Sequence, residues 1–228
     1  MAEPAILLLH GFSSSAEASW ARNGWLDILA DTGRRVIAPD LMGHGEAEKP
    51  HDPAAYAVME ERVHDLAAGA GDVDVIGFSM GARMALCVEA MWPGTFGRIV
   101  AGGVGANLFA EREPSTIADA LEGKAEALDP LGRAFVAAAH QPPNDPFAMA
   151  ACLRRAHPPL GRDELAHITC PVLVVVGDRD TVAMPPDQLL EALPDARLTL
   201  VKGADHLGTM KGFGFLDAAL GFLDALPA

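Results

Sequence analysis

Val73-Asp74-Val75-Ile76-Gly77-Phe78-Ser79-Met80-Gly81-Ala82-Arg83-Met84 is the stretch on which the fold turns. Its first half is a mostly apolar run ending in glycine, the pattern of a buried strand, and its second half opens an apolar helical pattern that continues to Met91. Between them, Gly77-Phe78-Ser79-Met80-Gly81 fits a sharp strand-to-helix turn. Glycines on either side let the chain pass closely, and the serine hydroxyl is presented at a helix N-terminus, whose partial positive charge favours a developing anion. A plain glycine-rich turn with a capping serine would read the same way in isolation, but the strand before and the helix after favour an exposed nucleophile.

Outward from this turn the same alternation repeats. Apolar runs at 5–9, 36–39, 73–77, 99–104 and 172–177, with a sixth at 198–201, predict strands, and 16–30, 54–68, 80–91, 186–193 and 213–226 predict helices between and after them. Strands alternating with helices give an α/β fold, a mostly parallel doubly wound sheet of about six strands. Ser14 followed three residues later by Glu17 predicts a capping box at the first helix. Residues 105–167 break the rhythm: they hold no strand run, and Asp129-Pro130 and Asp145-Pro146 each pair a cap residue with a helix-starting proline. This block is expected to be a small helical cap insertion, dividing a core of 1–104 and 168–228. Phe109, Phe135, Phe147 and Leu153 within it are the expected roof of an apolar pocket above the serine.

The 228 residues carry 31 acidic and 17 basic side chains, a formal charge of −14, with no run of Lys or Arg, which argues against nucleic acid or an anionic membrane as partner. Ile6-Leu7-Leu8-Leu9 is too short to span a bilayer and lacks a basic flank, so it reads as a strand and not a leader. Three cysteines, Cys87, Cys152 and Cys170, are widely spaced and odd in number, which suits a reducing cytoplasm. No phosphate-cradling glycine loop and no H-E-x-x-H is present, so neither a cofactor nor a metal is expected. His44, Glu46, Glu48 and His51 cluster in a glycine-containing loop without a recognised ligand spacing and read as solvated loop. Oligomeric state is open.

A second motif, His10-Gly11-Phe12, follows the first strand. Together with the glycine-flanked serine it resembles the α/β-hydrolase family, in which a loop after that strand helps to hold an oxyanion. The resemblance covers nearly the whole chain outside the insertion and implies that the backbone amides of Phe12 and Met80 form the oxyanion hole, with His10 bracing the loop. A serine hydroxyl needs a base, usually a histidine fixed by a carboxylate. Of the eight histidines, His206 in Gly203-Ala204-Asp205-His206 matches the family's final loop, whereas His64, His140, His157 and His167 fall in a helix or in and beside the insertion. The family's acid position maps onto Asp180; Asp178 is expected to bind loop amides instead, and Asp205 is too close in sequence to His206 to align. Asp40-Leu41-Met42-Gly43-His44-Gly45 resembles the family's loop after its second common strand, with Ala47 where serine is frequent.

Two departures limit the resemblance. The family's first two strands are missing before residue 5, and Leu207-Gly208-Thr209-Met210 lacks the usual proline-containing continuation. The resemblance implies a serine hydrolase acting on a small-molecule carboxylic ester through an acyl-enzyme on Ser79, with Asp180 and His206 completing the triad. Gly77 to Arg83 also resembles a motif of menaquinone-pathway lyases that eliminate pyruvate, with Ala82 replacing a glycine, and Arg112, Arg133, Arg154 and Arg155 could then serve an anionic substrate beside Arg83. A non-catalytic ligand-binding protein of the same fold is the alternative from another class.

Overall fold

The computed structural model describes residues 3–110, 115–124 and 128–225. Its six strands, β1 (Ala5–Leu9), β2 (Val36–Ile37), β3 (Val73–Phe78), β4 (Ile99–Gly102), β5 (Val172–Gly177) and β6 (Ala196–Val201), form one sheet in the order β2-β1-β3-β4-β5-β6. Every pairing is parallel, as in Leu8 opposite Ile76 and Gly77 opposite Ala101. Parallel strands covered on both faces must be apolar on both, and β1, β3 and β5 are buried along their whole length.

The two faces have separate cores. Ile6, Leu8, Ile76 and Val175 pack against Trp20, Trp25 and Phe215, while Leu7, Leu9, Val75 and Val174 pack against Met59, Val63, Met84 and Leu86. The first face is covered by α1 (Trp25–Ala30) and the C-terminal helix Phe213–Phe222, and the second by α2 (Met59–Ala70) and α3 (Met80–Met91). Burial of each such large side chain contributes about 1.5 to 3 kcal/mol. At the base of the sheet, Asp74 on β3 is buried between two guanidiniums, Arg34 at 2.5 Å and Arg98 at 3.0 Å. Arg34 and Arg98 also donate to the Leu223 carbonyl, so the pair holds the C-terminal segment against the sheet.

Between β4 and β5 the chain forms α4 (Thr116–Leu121), α5 (Pro130–Ala139), α6 (Pro146–Arg154) and α7 (Arg162–Leu165). Asp129 and Asp145 cap α5 and α6 as the Asp-Pro pairs predict, Asp129 accepting the Gly132 amide and Asp145 those of Phe147 and Ala148. Ala118, Leu121, Ala139, Met149 and Ala150 make a small core of their own. After β5 come α8 (Asp187–Ala192), α9 (His206–Lys211) and α10 (Phe213–Phe222); the expected extension of the last helix to residue 226 lies outside the described residues.

Three local expectations are corrected. The helix expected over 16–30 is split into a wide turn at Glu17–Ala21 and α1, with Gly24 at φ +75° between them. The Ser14–Glu17 capping box does not form, because both would-be acceptors are engaged elsewhere: Ser14 Oγ bonds Ser19 Oγ and the Glu17 carboxylate takes Arg22 Nε, while Asp40 and Ser15 Oγ accept the nearby Ala16 and Ala18 amides. β2 stops at Ile37, ahead of Pro39, which has no amide to donate to a ladder.

Candidate active site

The turn from β3 into α3 puts Ser79 at φ 53° and ψ −110°, a left-handed conformation that costs a non-glycine residue of order 1 to 3 kcal/mol. Its flanking glycines explain how the surroundings hold it there. A Cβ on Gly81 would lie 2.1 Å from the Leu9 carbonyl oxygen, and one on Gly77 2.6 Å from the backbone of Gly81 and Ala82. Neither backbone can retreat, so α3 packs onto β1 only because these positions lack side chains. Met80 opens α3, so its amide has no acceptor within the helix and is available at the serine.

Ser79 Oγ is 3.1 Å from His206 Nε2, and His206 Nδ1 is 2.8 Å from Asp180 Oδ2. Asp180 and His206 are both buried, at 1% and 3% exposure, which shields their pairing from solvent. Asp180 sits in the turn after β5, where Oδ1 accepts the amides of Val182 and Ala183. Burial pushes its carboxyl up, but the bond and charge of His206 and those two amides more than offset it, so the carboxyl is held below the ordinary carboxylate range. His206 is the first residue of α9, and Asp205 serves as that helix's N-cap, accepting the Gly208 amide. Asp178 accepts the Gly203 amide at 2.6 Å and so works on the loop. The three residues singled out from distant parts of the sequence thus form one continuous chain of hydrogen bonds.

The loop after β1 reaches the same place. A Cβ on Gly11 would stand 3.7 Å from Ser79 Cβ, so Phe12 follows directly beside the serine. His10 braces the loop: Nε2 accepts the Leu41 amide at 2.9 Å and Nδ1 faces the Gly11 carbonyl at 2.8 Å, which requires the neutral Nδ1–H tautomer. Full burial outweighs the raising influence of Gly11 and Asp40 and holds the His10 imidazole below its ordinary range. His44, 5.4 Å from His10 between ring centres, is pushed down to about 3 by burial and by His10. Two neutral imidazoles therefore back the Phe12 loop, and Phe12 meets His44 edge-on at 5.5 Å.

From α5, Phe135 packs edge-on against both Phe12 and His206, at 5.9 and 6.5 Å, and from α6 Leu153 lines a cavity with Ser79. Phe147, expected beside them, is instead 54% exposed and lies against His51. Among the arginines, Arg83 and Arg155 line that cavity, Arg154 pairs with Asp119 and Glu122, Arg133 donates to the Leu128 carbonyl, and Arg112 lies outside the described residues. His157, passed over as the base, also lines the cavity, and no local sequence signal marks it. The loop cluster disperses among other partners: His44 Nδ1 faces the Met42 carbonyl, Glu48 pairs with Arg62, and His51 with Asp145.

A model of the alpha/beta hydrolase family matches residues 6–223. Among curated proteins, 108 residues are 32% identical to the uncharacterized protein Rv2715 of Mycobacterium tuberculosis, covering 44% of this chain and 30% of that one. Over 107 residues the chain is 34% identical to the mouse sn-1-specific diacylglycerol lipase ABHD11, covering 42% of this chain and 31% of the lipase. The matched stretches thus span less than a third of these relatives. Among solved structures, MenH from S. aureus superposes with a TM-score of 0.74 at 20% identity, over 98% of this chain and 94% of that one, a likeness of fold.

Proposed function

The chain belongs to the alpha/beta hydrolase family, and on that premise we propose that it is a serine hydrolase cleaving carboxylic esters of small or medium acyl chains. One observation carries the reading: a serine hydroxyl at a strained elbow lies 3.1 Å from an imidazole that a buried carboxylate holds at 2.8 Å. His206 Nε2 takes the Ser79 proton as Oγ bonds to the ester carbonyl carbon, and the carbonyl oxygen becomes an oxyanion held by the amides of Phe12 and Met80. As the tetrahedral intermediate collapses, the bond to the alcohol oxygen breaks and the imidazolium gives that oxygen its proton, leaving an acyl-enzyme. Water, deprotonated by the same imidazole, then attacks the acyl carbon; Ser79 leaves with the proton, and the acid is released. Asp180 orients the imidazole and stabilises its charged form.

On the same reading residues 105–167 act as a cap, Phe135 and Leu153 helping to wall the substrate space, over a core of 1–104 and 168–228. Purified protein should react with a fluorophosphonate probe and hydrolyse p-nitrophenyl butyrate, and Ser79→Ala should abolish both. Hydrolysis by Ser79→Ala at the wild-type rate would refute the assignment. Running a short acyl ester beside the anionic menaquinone-pathway intermediate separates hydrolysis from pyruvate elimination, the other chemistry that the resemblance implies.

A further inference from the structure

Two cavities meet at Ser79. One, of about 190 Å³, runs along α3 and is lined by Arg83, Asn107, Arg155 and His157 as well as by Met84 and Leu153. The other, of about 100 Å³, contains His206 and is walled largely by Phe78, Phe135, Leu207 and Met210. Resting on the hydrolase reading above, we propose that the preferred substrate is a half-ester of a short dicarboxylic acid, its distal carboxylate held by Arg83 and its small apolar alcohol seated beside His206.

The direction of the substrate follows from the proton path. His206 must deliver its proton to the departing alcohol oxygen, so the alcohol half occupies the cavity that contains His206, and the acyl half extends into the other. The smaller cavity is walled mainly by aromatic and aliphatic side chains; of its polar groups Ser14 Oγ bonds Ser19 Oγ and Asn23 Nδ2 the Ala18 and Ser19 carbonyls, while its one lysine, Lys211, is solvent-exposed. That chemistry suits a short alkyl group. The acyl side is different in kind, since two guanidiniums and an imidazole face it.

The two guanidiniums are not equivalent. Arg155 is buried and gripped by both oxygens of Glu60, at 2.9 and 2.7 Å, so its charge is already met. Arg83 is only partly buried, and its fork is steadied by neutral acceptors, the Pro158 carbonyl at 2.9 Å and Cys87 Sγ at 3.1 Å. Among the described residues no carboxylate pairs with it. A guanidinium has five donors in a fixed plane, and a partly desolvated one gains most from a charged, bidentate acceptor. The Arg83 amide donates to the Ser79 carbonyl, which puts Arg83 four residues along α3 from its N-cap Ser79, a rise of about 6 Å. The anchor is thus close enough to the nucleophile to call for a short acyl chain. That an uncompensated cation faces this cavity in a chain of net charge −14 is the observation an anionic acyl group would explain.

The test compares monoethyl glutarate with ethyl hexanoate, acid release being followed by pH-stat. Wild type should favour the half-ester in kcat/KM by about tenfold or more, the scale of a charge-assisted hydrogen bond. Arg83→Met should lose that preference through KM while still reacting with the fluorophosphonate probe, and Arg83→Lys should recover part of it. A wild type that favours the neutral ester, or a labelled Arg83→Met that keeps the ratio, overturns the proposal and leaves the hydrolase reading standing; a wild type that neither labels nor cleaves either ester sinks both. Should Arg83→Met not fold, the wild type still decides: glutarate must inhibit hydrolysis of p-nitrophenyl butyrate more strongly than 1,5-pentanediol does, and equal inhibition refutes the anchor.

Discussion

Asp180 meets His206 at 2.8 Å while its other oxygen is tied to the amides of Val182 and Ala183, so the carboxylate is fixed before it fixes the imidazole. Asp180→Asn keeps the size of the side chain but removes the charge and can impose the wrong tautomer. It should lower kcat by roughly 10⁴-fold with little change in KM. Asp178→Asn, which alters a side chain bonded only to the Gly203 amide among the described residues, should leave kcat within a few fold. Comparable losses in the two variants, measured on p-nitrophenyl butyrate, would mean that the acid has been misassigned.

The depressed Asp180 carboxyl also has a consequence for stability. A group whose folded pKa lies below its unfolded one adds stability above the unfolded value, and that stability is lost as pH falls through the folded value. Asp180 therefore stays ionised throughout the mildly acid range and does not contribute to loss of stability there.

Buried neutral histidines behave otherwise. His44 has a folded value of about 3 against 6.5, and His10 is also lowered by burial, so the unfolded chain binds more protons than the folded one between those limits. Stability should fall as pH drops below about 6.5, with His44 alone accounting for about 2 kcal/mol at pH 5. Urea midpoints at pH 7.5 and pH 5 measure this. In His44→Leu the acid-side slope should be shallower, and an unchanged slope would show that His44 is not held neutral.

Glycine positions separate by what a methyl group would strike. On Gly81 it would fall 2.1 Å from the Leu9 carbonyl oxygen, whereas on Gly221 in α10 it would meet nothing within 4 Å. Gly81→Ala should cost more than about 4 kcal/mol or prevent folding, because strand and elbow must separate. Gly221→Ala should stabilise by about 0.5 to 1 kcal/mol through helix propensity. Thermal melts of the two variants test this, and a tolerated Gly81→Ala would contradict the close approach of α3 to β1.

What was legible in the sequence follows the range of the interactions involved. Continuous apolar runs and the glycine-flanked serine depend on neighbours within a few residues, so β1, β3, β5 and α3 were readable, as were the aspartate caps of α5 and α6. Ser14 and Glu17 carried an equally good local signal and failed, because Ser14 Oγ bonds Ser19 and Glu17 takes Arg22, in a segment whose Ala16 amide is held by Asp40, 24 positions away. Buried charge was invisible for the same reason. Asp74 in β3 gives no hint that Arg34 and Arg98 will meet it, and Arg155 none that Glu60, 95 positions away, will neutralise it. That pairing matters at the site, since without it Arg155 would read as a second substrate cation.

The Glu60–Arg155 pair therefore offers the last test. Both partners are nearly inaccessible, at 2% and 3% side-chain exposure, and the link joins α2 to the end of α6 at the wall of the cavity that Arg83 lines. Desolvating two charges consumes much of what their attraction returns, so the intact pair adds little net stability, but a lone survivor is expensive. Glu60→Gln should cost about 3 to 5 kcal/mol, whereas Glu60→Met combined with Arg155→Met should cost much less than the sum of the single changes. Urea unfolding of the three variants yields the coupling directly. Additive costs would mean that water reaches the pair, and then the Arg155 charge would be open to the cavity as Arg83 is.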